Sequence, residues 1–279
     1  MKKVYKIIDI NIEKIWGSKK IENKNIGEVV KFEVNENQSN NIVDNQGTKY
    51  NLYKLYSSNQ RKNFFGKKYL NEDVIPFMIK YIYSKKKLSL QVHPKEKKET
   101  WLFLKNNSKI LIGLKNNLKT NQISTDYLLS NTNIVNCNKY DFAIVDPGTI
   151  HSILEDNCVC EIQNNYDVTY RYYDWDNNRE LTQKGFVENA RFKKFNMGKN
   201  IKRKFKKYKS QKFKITKLEI KQIKTLKTTN HFEILIVLEG KGNLIVNDEK
   251  LELNQNDTYF ILPNAKCTIL GSLKILVIY

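Results

Sequence analysis

The fold is decided by one stretch of the chain, Leu88-Ser89-Leu90-Gln91-Val92-His93-Pro94. Apolar and polar residues alternate along it, which is the pattern of a β-strand with one face packed on a core. Ser89, Gln91 and His93 therefore share the other face. In a barrel whose apolar face packs outward, these polar side chains would line the interior, where they are costly unless they bind something. A metal ion is one candidate, because imidazole nitrogen and carbonyl oxygen are both zinc ligands.

Short apolar runs separated by turns dominate the rest of the chain, and they continue beyond residue 214. Their alternation is that of strands, and it predicts a β-sandwich or barrel that is repeated in the last part of the sequence. Helices are expected at three places only: after an N-cap at Thr48, between Ser58 and Gly66, and after an N-cap at Ser124.

The chain has 279 residues and a formal net charge of +20. A basic protein favours anionic partners, but the excess of lysine and asparagine is also what an AT-rich coding sequence produces. The most basic stretch is 191–214, which we interpret as a connector. A nucleic-acid patch is the alternative for this stretch, although no recognition motif accompanies it.

The four cysteines form no CxxC pair and suggest no disulfide framework. The first residues carry no evident signal peptide, and no window approaches the roughly 18 consecutive apolar residues of a membrane span. We therefore expect a cytoplasmic protein with no membrane partner.

Further candidate ligands follow the opening stretch. Glu99 shares a strand face with Trp101 and could enter the interior, whereas Glu96 lies among lysines and is expected to be solvated. His151 begins a strand directly after the tight turn Asp146-Pro147-Gly148-Thr149. A single histidine is usually an ordinary hydrogen-bonded residue, so the spacing leaves a metal site and structural histidines both open.

Two other residues bear on this choice. Arg171 lies between aromatic residues, where a guanidinium could hold an oxyanion or pair with a neighbouring aspartate. His231 has no ligand-like neighbours, and we predict a structural role for it.

Taken in order along the chain, several segments resemble the type I mannose-6-phosphate isomerases, which are zinc cupins, in their short bacterial form. The matching segments are residues 14–17, 27–29, 76–80, 88–94, 99–101, 145–151, 161–171 and 179–181. The resemblance implies an all-β-dominated fold of two cupin-like (jelly-roll) β-barrels with a few short helices. It implies a catalytic domain over 1–190 with a short helical insert, the basic connector 191–214, and a second, non-metal cupin-like domain over 215–279.

The resemblance also implies the site. One zinc ion per chain would be held by Gln91, His93, Glu99 and His151. Arg171 would be catalytic, and the substrate-binding residues would be Lys80, Ser89 and Glu161. The segment between His93 and Glu99 is shorter than in relatives, so Glu96 stays open as the alternative carboxylate ligand.

The implied activity is the interconversion of mannose 6-phosphate and fructose 6-phosphate by proton transfer through an enediol. The expected partner is this sugar phosphate and not a nucleic acid, and the expected state is a monomer or small homo-oligomer. The alternative function is a non-catalytic cupin that binds a sugar phosphate.

Overall fold

The computed structural model describes residues 2–119, 123–175, 177–246 and 249–279. The strands in these ranges are β1 (Val4–Ile8), β2 (Ile10–Glu13), β3 (Lys19–Ile21), β4 (Lys24–Phe32), β5 (Asn41–Val43), β6 (Lys49–Asn51), β7 (Phe77–Ser84), β8 (Leu90–Val92), β9 (Glu99–Phe103), β10 (Ser108–Leu114), β11 (Thr132–Cys137), β12 (Phe142–Val145), β13 (His151–Ile153), β14 (Asn157–Asn164), β15 (Tyr170–Tyr173), β16 (Ile201–Lys202), β17 (Lys207–Lys209), β18 (Lys214–Ile220), β19 (Ile223–Lys227), β20 (Glu233–Val246), β21 (Glu249–Leu253), β22 (Thr258–Ile261) and β23 (Lys266–Ile278).

Helices are few and short, as the sequence predicts. They are α1 (Leu52–Tyr56), α2 (Arg61–Phe65), α3 (Thr125–Asn131), α4 (Gln183–Asn189) and α5 (Met197–Asn200), with a 3-10 turn at Lys67–Tyr69. Among the helices in the described ranges, none has both the length and the hydropathy needed to cross a bilayer. The prediction of a β-dominated fold with short helices is confirmed.

The helix caps explain where these helices begin and end. Ser124 caps α3 by accepting a hydrogen bond from the Tyr127 N–H, as predicted. The prediction of Thr48 as a cap is wrong, because Asn51 caps α1 through the Lys54 N–H. Thr48 instead donates its N–H to the Asp44 side chain in the turn between β5 and β6. The end of α2 at Gly66 is confirmed, where φ is 87°.

The chain folds as two compact units, each assembled from separated segments. The terminal unit contains Met1–Ile10, Val30–Met78 and Lys206–Tyr279, and the central unit contains Asn11–Val29 and Ile79–Phe205. The division predicted from sequence, at 1–190, 191–214 and 215–279, follows continuous segments and stays a prediction.

The terminal unit is organised around a ten-stranded sheet with the order β17-β18-β23-β20-β22-β1-β5-β6, to which β19 and β21 add through β23 and β20. Its longest pair is β20 with β23, which runs antiparallel from Ile234↔Ile278 to Ile245↔Thr268. Alternate side chains of this pair enter one apolar cluster with Val4, Tyr259 and other buried residues. This cluster is the core of the terminal unit.

The central unit contains a five-stranded sheet, β11-β10-β13-β8-β15. Most of an eight-stranded sheet, β16-β12-β9-β14-β7-β4-β2 with β3 on β4, also lies here, and β4 and β7 have residues in both units. Trp101 and Phe103 from the larger sheet share an apolar cluster with Ile110 and Ile112 from the smaller one. The two sheets therefore pack face to face, as in a sandwich.

The basic stretch 191–214 is anchored by its aromatic residues. Phe195 packs on Gly113 so closely that a Cβ there would lie 2.1 Å from the ring, and Gly113 has φ of 62°. Phe205 stacks on Phe142 with ring centroids 4.1 Å apart, and it is buried. The lysines of the stretch 191–214 are exposed, while its aromatic residues attach the stretch to the rest of the fold.

Candidate metal centre

The five-stranded sheet places three polar side chains in one row. Gln91 on β8 lies directly opposite His151 on β13 and opposite Arg171 on β15. Directly opposite residues of an antiparallel pair project to the same face of a sheet. All three line a cavity of about 160 Å³ within the central unit.

The eight-stranded sheet supplies the facing wall of this cavity. Glu99 and Trp101 are two residues apart on β9 and project to the same side. On β14, Glu161 lies opposite Trp101, and Gln163 lies opposite Glu99. All four residues line the cavity, so the two rows of polar side chains face one another between the sheets.

The Asp146–Thr149 turn connects the two histidines. The Thr149 N–H donates to the Asp146 carbonyl at 3.0 Å, and Gly148 has φ of 75°, which with Pro147 before it makes a type II turn. The Gly148 N–H then donates to the His93 carbonyl at 2.9 Å. The turn therefore holds the backbone of one histidine while it leads into the other.

Each histidine has one ring nitrogen fixed by a backbone carbonyl. His93 Nδ1 lies 3.0 Å from the Val168 oxygen, and His151 Nδ1 lies 2.7 Å from the Thr149 oxygen. A carbonyl can only accept, so the proton lies on Nδ1 in both rings. A ring with its only proton on Nδ1 has its lone pair on Nε2, which is the arrangement of a metal-binding histidine.

Glu99 completes a group of three acceptors. Its Oε1 lies 2.9 Å from His93 Nε2, and its Oε2 lies 4.0 Å from His151 Nε2. His93 Nε2 is buried and has no hydrogen-bond partner among the described residues, despite its closeness to the carboxylate. Ligand atoms of these three buried residues lie within 4.8 Å of one another. Converging lone pairs and a carboxylate suit a cation.

The structure brings Glu99 into this group and leaves Glu96 outside it. The Glu99 side chain is almost fully buried, whereas the Glu96 side chain is 41% exposed and lies 3.8 Å from Lys95 Nζ. The turn Pro94-Lys95-Glu96-Lys97, closed by the Lys97 N–H on the Pro94 carbonyl, directs Glu96 outward. The shortness of the segment therefore does not prevent Glu99 from reaching the histidines.

Charge in the cavity favours the ligating forms of these residues. Burial and the nearby His93 lower the pKa of His151 to about 3, so this ring is neutral at physiological pH. Burial acts to raise the pKa of Glu99, but His93 and Lys97 outweigh it and hold that pKa well below its usual range. Glu99 is therefore ionised.

Gln91 lies beside this group. Its Nε2 is 3.2 Å from His151 Nε2, and its Oε1 accepts a hydrogen bond from the Ser89 hydroxyl at 2.8 Å. A half-turn of the amide would present Oε1 in the same direction as the histidine nitrogen. Ser89 is fully buried behind Gln91 and does not line the cavity, so its contact is with the amide.

The other predicted site residues all line the cavity. Lys80 lies 3.4 Å from Glu28, and burial together with the charge of Glu99 raises the pKa of Glu161 to about 8. Arg171 Nε has no hydrogen-bond partner among the described residues. By contrast Arg179 is engaged with Asp174, to which its Nε donates at 2.8 Å.

The chain is 31% identical over 131 residues to GmuF of Bacillus subtilis, named a probable mannose-6-phosphate isomerase, which covers 40% of this chain and 41% of that protein. It is 26% identical over 211 residues to the mannose-6-phosphate isomerase ManA of the same organism, which covers 63% of this chain and 64% of that protein. No protein-family model matches the chain.

The chain is similar in sequence to proteins named mannose-6-phosphate isomerases. The crystal structure of the Bacillus subtilis mannose 6-phosphate isomerase superposes with a TM-score of 0.86 over 100% of both chains, at 21% identity. The fold is therefore the isomerase fold over the full chain. The matches in sequence are shorter, and they span 41% and 64% of the lengths of the two curated relatives.

Sequence analysis assigned no role to Lys97, which lines this cavity. Its side chain is only 4% exposed, and its Nζ lies 3.2 Å from Glu99 Oε1 and 3.9 Å from Asp167 Oδ1. Strand alternation carried the signal, because Lys97, Glu99 and Trp101 are spaced two residues apart. Lysine is rarely buried without a partner, and here the partner is Glu99.

Proposed function

We propose that the protein is a metal-dependent mannose-6-phosphate isomerase, which interconverts mannose 6-phosphate and fructose 6-phosphate. One observation carries the proposal. The two Nε2 atoms and the carboxylate of His93, His151 and Glu99 converge. Glu99 and His151 line a cavity that is also lined by the Glu161 carboxyl and several cationic side chains. An aldose–ketose isomerisation needs these parts, because a proton moves between C2 and C1 while negative charge develops on the adjoining oxygens.

The ion we propose is zinc, one per chain, held by His93, Glu99, His151 and the Gln91 amide oxygen. Imidazole nitrogen with a single carboxylate is a donor set that suits zinc, and the orphaned His93 Nε2 fits it. When bound there, the ion would act as a Lewis acid that stabilises charge on the sugar oxygens. With the amide turned, Gln91 Nε2 would replace Oε1 beside the Ser89 hydroxyl and would donate to it, which would hold Oε1 toward the ion.

Glu161 is the group that we assign to proton transfer. Its Oε2 accepts a hydrogen bond from the Trp101 indole at 3.1 Å, which leaves Oε1 as the oxygen that would exchange a proton with the substrate. A carboxyl with a pKa near 8 holds its proton at neutral pH and can still release it. Such a group serves both directions of a reversible isomerisation.

Arg171 is the cation that we assign to the developing negative charge. The charges of Lys14 and Lys80 face Glu28 at 3.3 and 3.4 Å, and Arg179 is engaged by Asp174. Arg171 presents its guanidinium to the same cavity with its Nε unpaired. A fixed fork of donors is suited to an enediolate or a phosphate.

A non-catalytic cupin that binds a sugar phosphate is not favoured, because every group the reaction needs lines the site. The four cysteines are free thiols, which fits the cytoplasmic location that we propose. The partner that we propose is the sugar phosphate.

The experiment is to purify the full chain, measure its metal content by mass spectrometry, and assay fructose 6-phosphate formation before and after chelation. We expect about one zinc per chain, loss of turnover on chelation, and recovery when zinc is returned. Arg171→Ala should keep the metal and lose on the order of 100-fold or more in turnover, as other oxyanion-stabilising groups do. Turnover that survives complete removal of metal would contradict the proposal. Binding of the sugar phosphate without turnover would favour the non-catalytic alternative.

A further inference from the structure

A single indole N–H lies between the two buried carboxyls of the cavity. Trp101 Nε1 is 3.2 Å from Glu99 Oε2 and 3.1 Å from Glu161 Oε2. Indole has one proton to donate and no acceptor, so the two oxygens share the same donor. The Glu161 side chain accepts this hydrogen bond on Oε2.

The fold fixes where this donor points. Trp101 lies opposite Glu161 on one neighbouring strand and opposite Ala143 on the other. Its side chain is 1% exposed and packs in the apolar cluster that contains Trp16 and Ile82. The indole therefore cannot turn toward water, and its N–H stays aimed at the carboxyls.

The indole also sets the two oxygens of Glu99 apart. Glu99 Oε1 faces His93 Nε2 at 2.9 Å and Lys97 Nζ at 3.2 Å, while Oε2 accepts from Trp101. The indole contacts His151 edge-on as well, with ring centroids 5.4 Å apart and an interplanar angle of 69°. One rigid side chain thus touches two residues of the ligand group and the carboxyl opposite them.

We propose that Trp101 is a positioning residue that orients Glu99 for metal binding and holds Glu161 at a fixed place relative to it. The kinetic part of this inference rests on the proposed isomerase activity, and the part on metal affinity rests on the proposed zinc site alone. Groups that orient a metal ligand through a hydrogen bond typically contribute 10- to 100-fold in affinity or activity. Trp101 differs from most of them, because the same N–H also serves the proposed proton-transfer group.

The test replaces the indole and keeps the packing. Trp101→Phe removes the N–H, and we expect zinc affinity, measured by competition with a chelator of known affinity, to fall by about 10- to 100-fold. At saturating zinc, kcat should fall because Glu161 loses the hydrogen bond that positions it. KM should change little because the substitution leaves the groups that bind the substrate in place. The matched control is Trp175→Phe, which removes an indole hydrogen bond to the Leu88 carbonyl of 2.8 Å. This control should keep wild-type zinc affinity and kcat.

A second substitution separates the N–H from the ring volume. Replacing Trp101 alone by benzothienylalanine exchanges the N–H for sulfur at nearly constant shape, and it should reproduce the effect of Trp101→Phe on zinc affinity even if the phenylalanine variant folds poorly. Wild-type zinc affinity in the benzothienyl variant overturns the inference. Wild-type protein that binds zinc without isomerising sugar phosphates would overturn the proposed function instead, and the affinity comparison would still decide the role of Trp101.

Discussion

Histidines of the two units show what separates a structural histidine from a ligand. In the terminal unit, His231 Nε2 lies 2.8 Å from the Thr229 hydroxyl, its Nδ1 lies 3.0 Å from the Phe232 oxygen, and its ring stacks on Tyr279. In the central unit, His93 and His151 satisfy Nδ1 on backbone carbonyls, and their Nε2 atoms converge on a carboxylate. Burial lowers the pKa of both His231 and His151, so burial alone does not distinguish them. The two kinds of histidine differ in what the ring Nε2 faces, which is a hydroxyl for His231 and the Glu99 carboxylate for His93 and His151.

The largest expected effect comes from replacing one histidine of each class by asparagine. His93→Asn should abolish detectable turnover and lower zinc affinity by more than the 10- to 100-fold that loss of an outer partner costs. His231→Asn removes the same ring in the terminal unit and should keep zinc and turnover, with a modest loss of thermal stability. Metal content and melting temperature of both variants are the measurements. Equal zinc content in the two variants would show that His93 is no more a metal ligand than His231.

A smaller effect is expected from replacing Glu99 or Glu96, the two candidate carboxylate ligands, by glutamine. Glu99→Gln neutralises a buried carboxylate 2.9 Å from His93 Nε2, and it should weaken zinc binding by about 100-fold. Glu96→Gln removes the same charge from a side chain that is 41% exposed, and it should leave zinc affinity within about twofold. Chelator competition on both variants measures this difference. A larger loss for Glu96→Gln would make Glu96 the ligand.

The smallest effect concerns stability and pH in the terminal unit. Burial raises the pKa of Glu233 from 4.5 to about 7. Between these values the unfolded chain has lost the proton that the folded protein keeps, so this group lowers stability as pH rises from about 4.5 to 7. Glu233→Gln removes that slope, and above pH 7 it should be the more stable protein by on the order of 3 kcal/mol. Urea unfolding at pH 5 and pH 8 is the measurement, with Glu219→Gln as an exposed control. An unchanged pH slope would show that Glu233 is ionised in the folded protein.

Sequence analysis identified the candidate ligands because strand alternation is a local pattern. Ser89, Gln91 and His93 could be placed on one face from spacing alone, and the turn before His151 is encoded by Pro147 and Gly148. Which carboxylate joins them depends on the pairing of β9 with β14 and β12, and no local pattern specifies that pairing. The resemblance to a known family supplied this information for Glu99.

What the sequence missed follows from long-range packing. Sequence analysis assigns no role to Lys97, because the two-residue spacing that puts it on the strand face of Glu99 does not show whether its charged group is buried. Ser89 stays a predicted substrate-binding residue, and its hydroxyl donates to the Gln91 amide oxygen on the same strand face. Asn51 rather than Thr48 caps α1, since Thr48 is already committed to the turn that begins at Asp44.

The turn at Asp146–Thr149 has a consequence for how the centre is assembled. Because the Gly148 N–H holds the His93 carbonyl and the Thr149 oxygen holds the His151 ring, folding itself closes the long loop between the two histidines. Binding of a metal ion would then restrict rotation about few additional bonds, so the loss of conformational entropy that opposes binding would be small. The segment from His93 to Glu99 is the first part of this loop, and the contact of the turn with the His93 carbonyl fixes the spacing of the histidine pair whatever the length of that segment. A site built in this way tolerates a short loop.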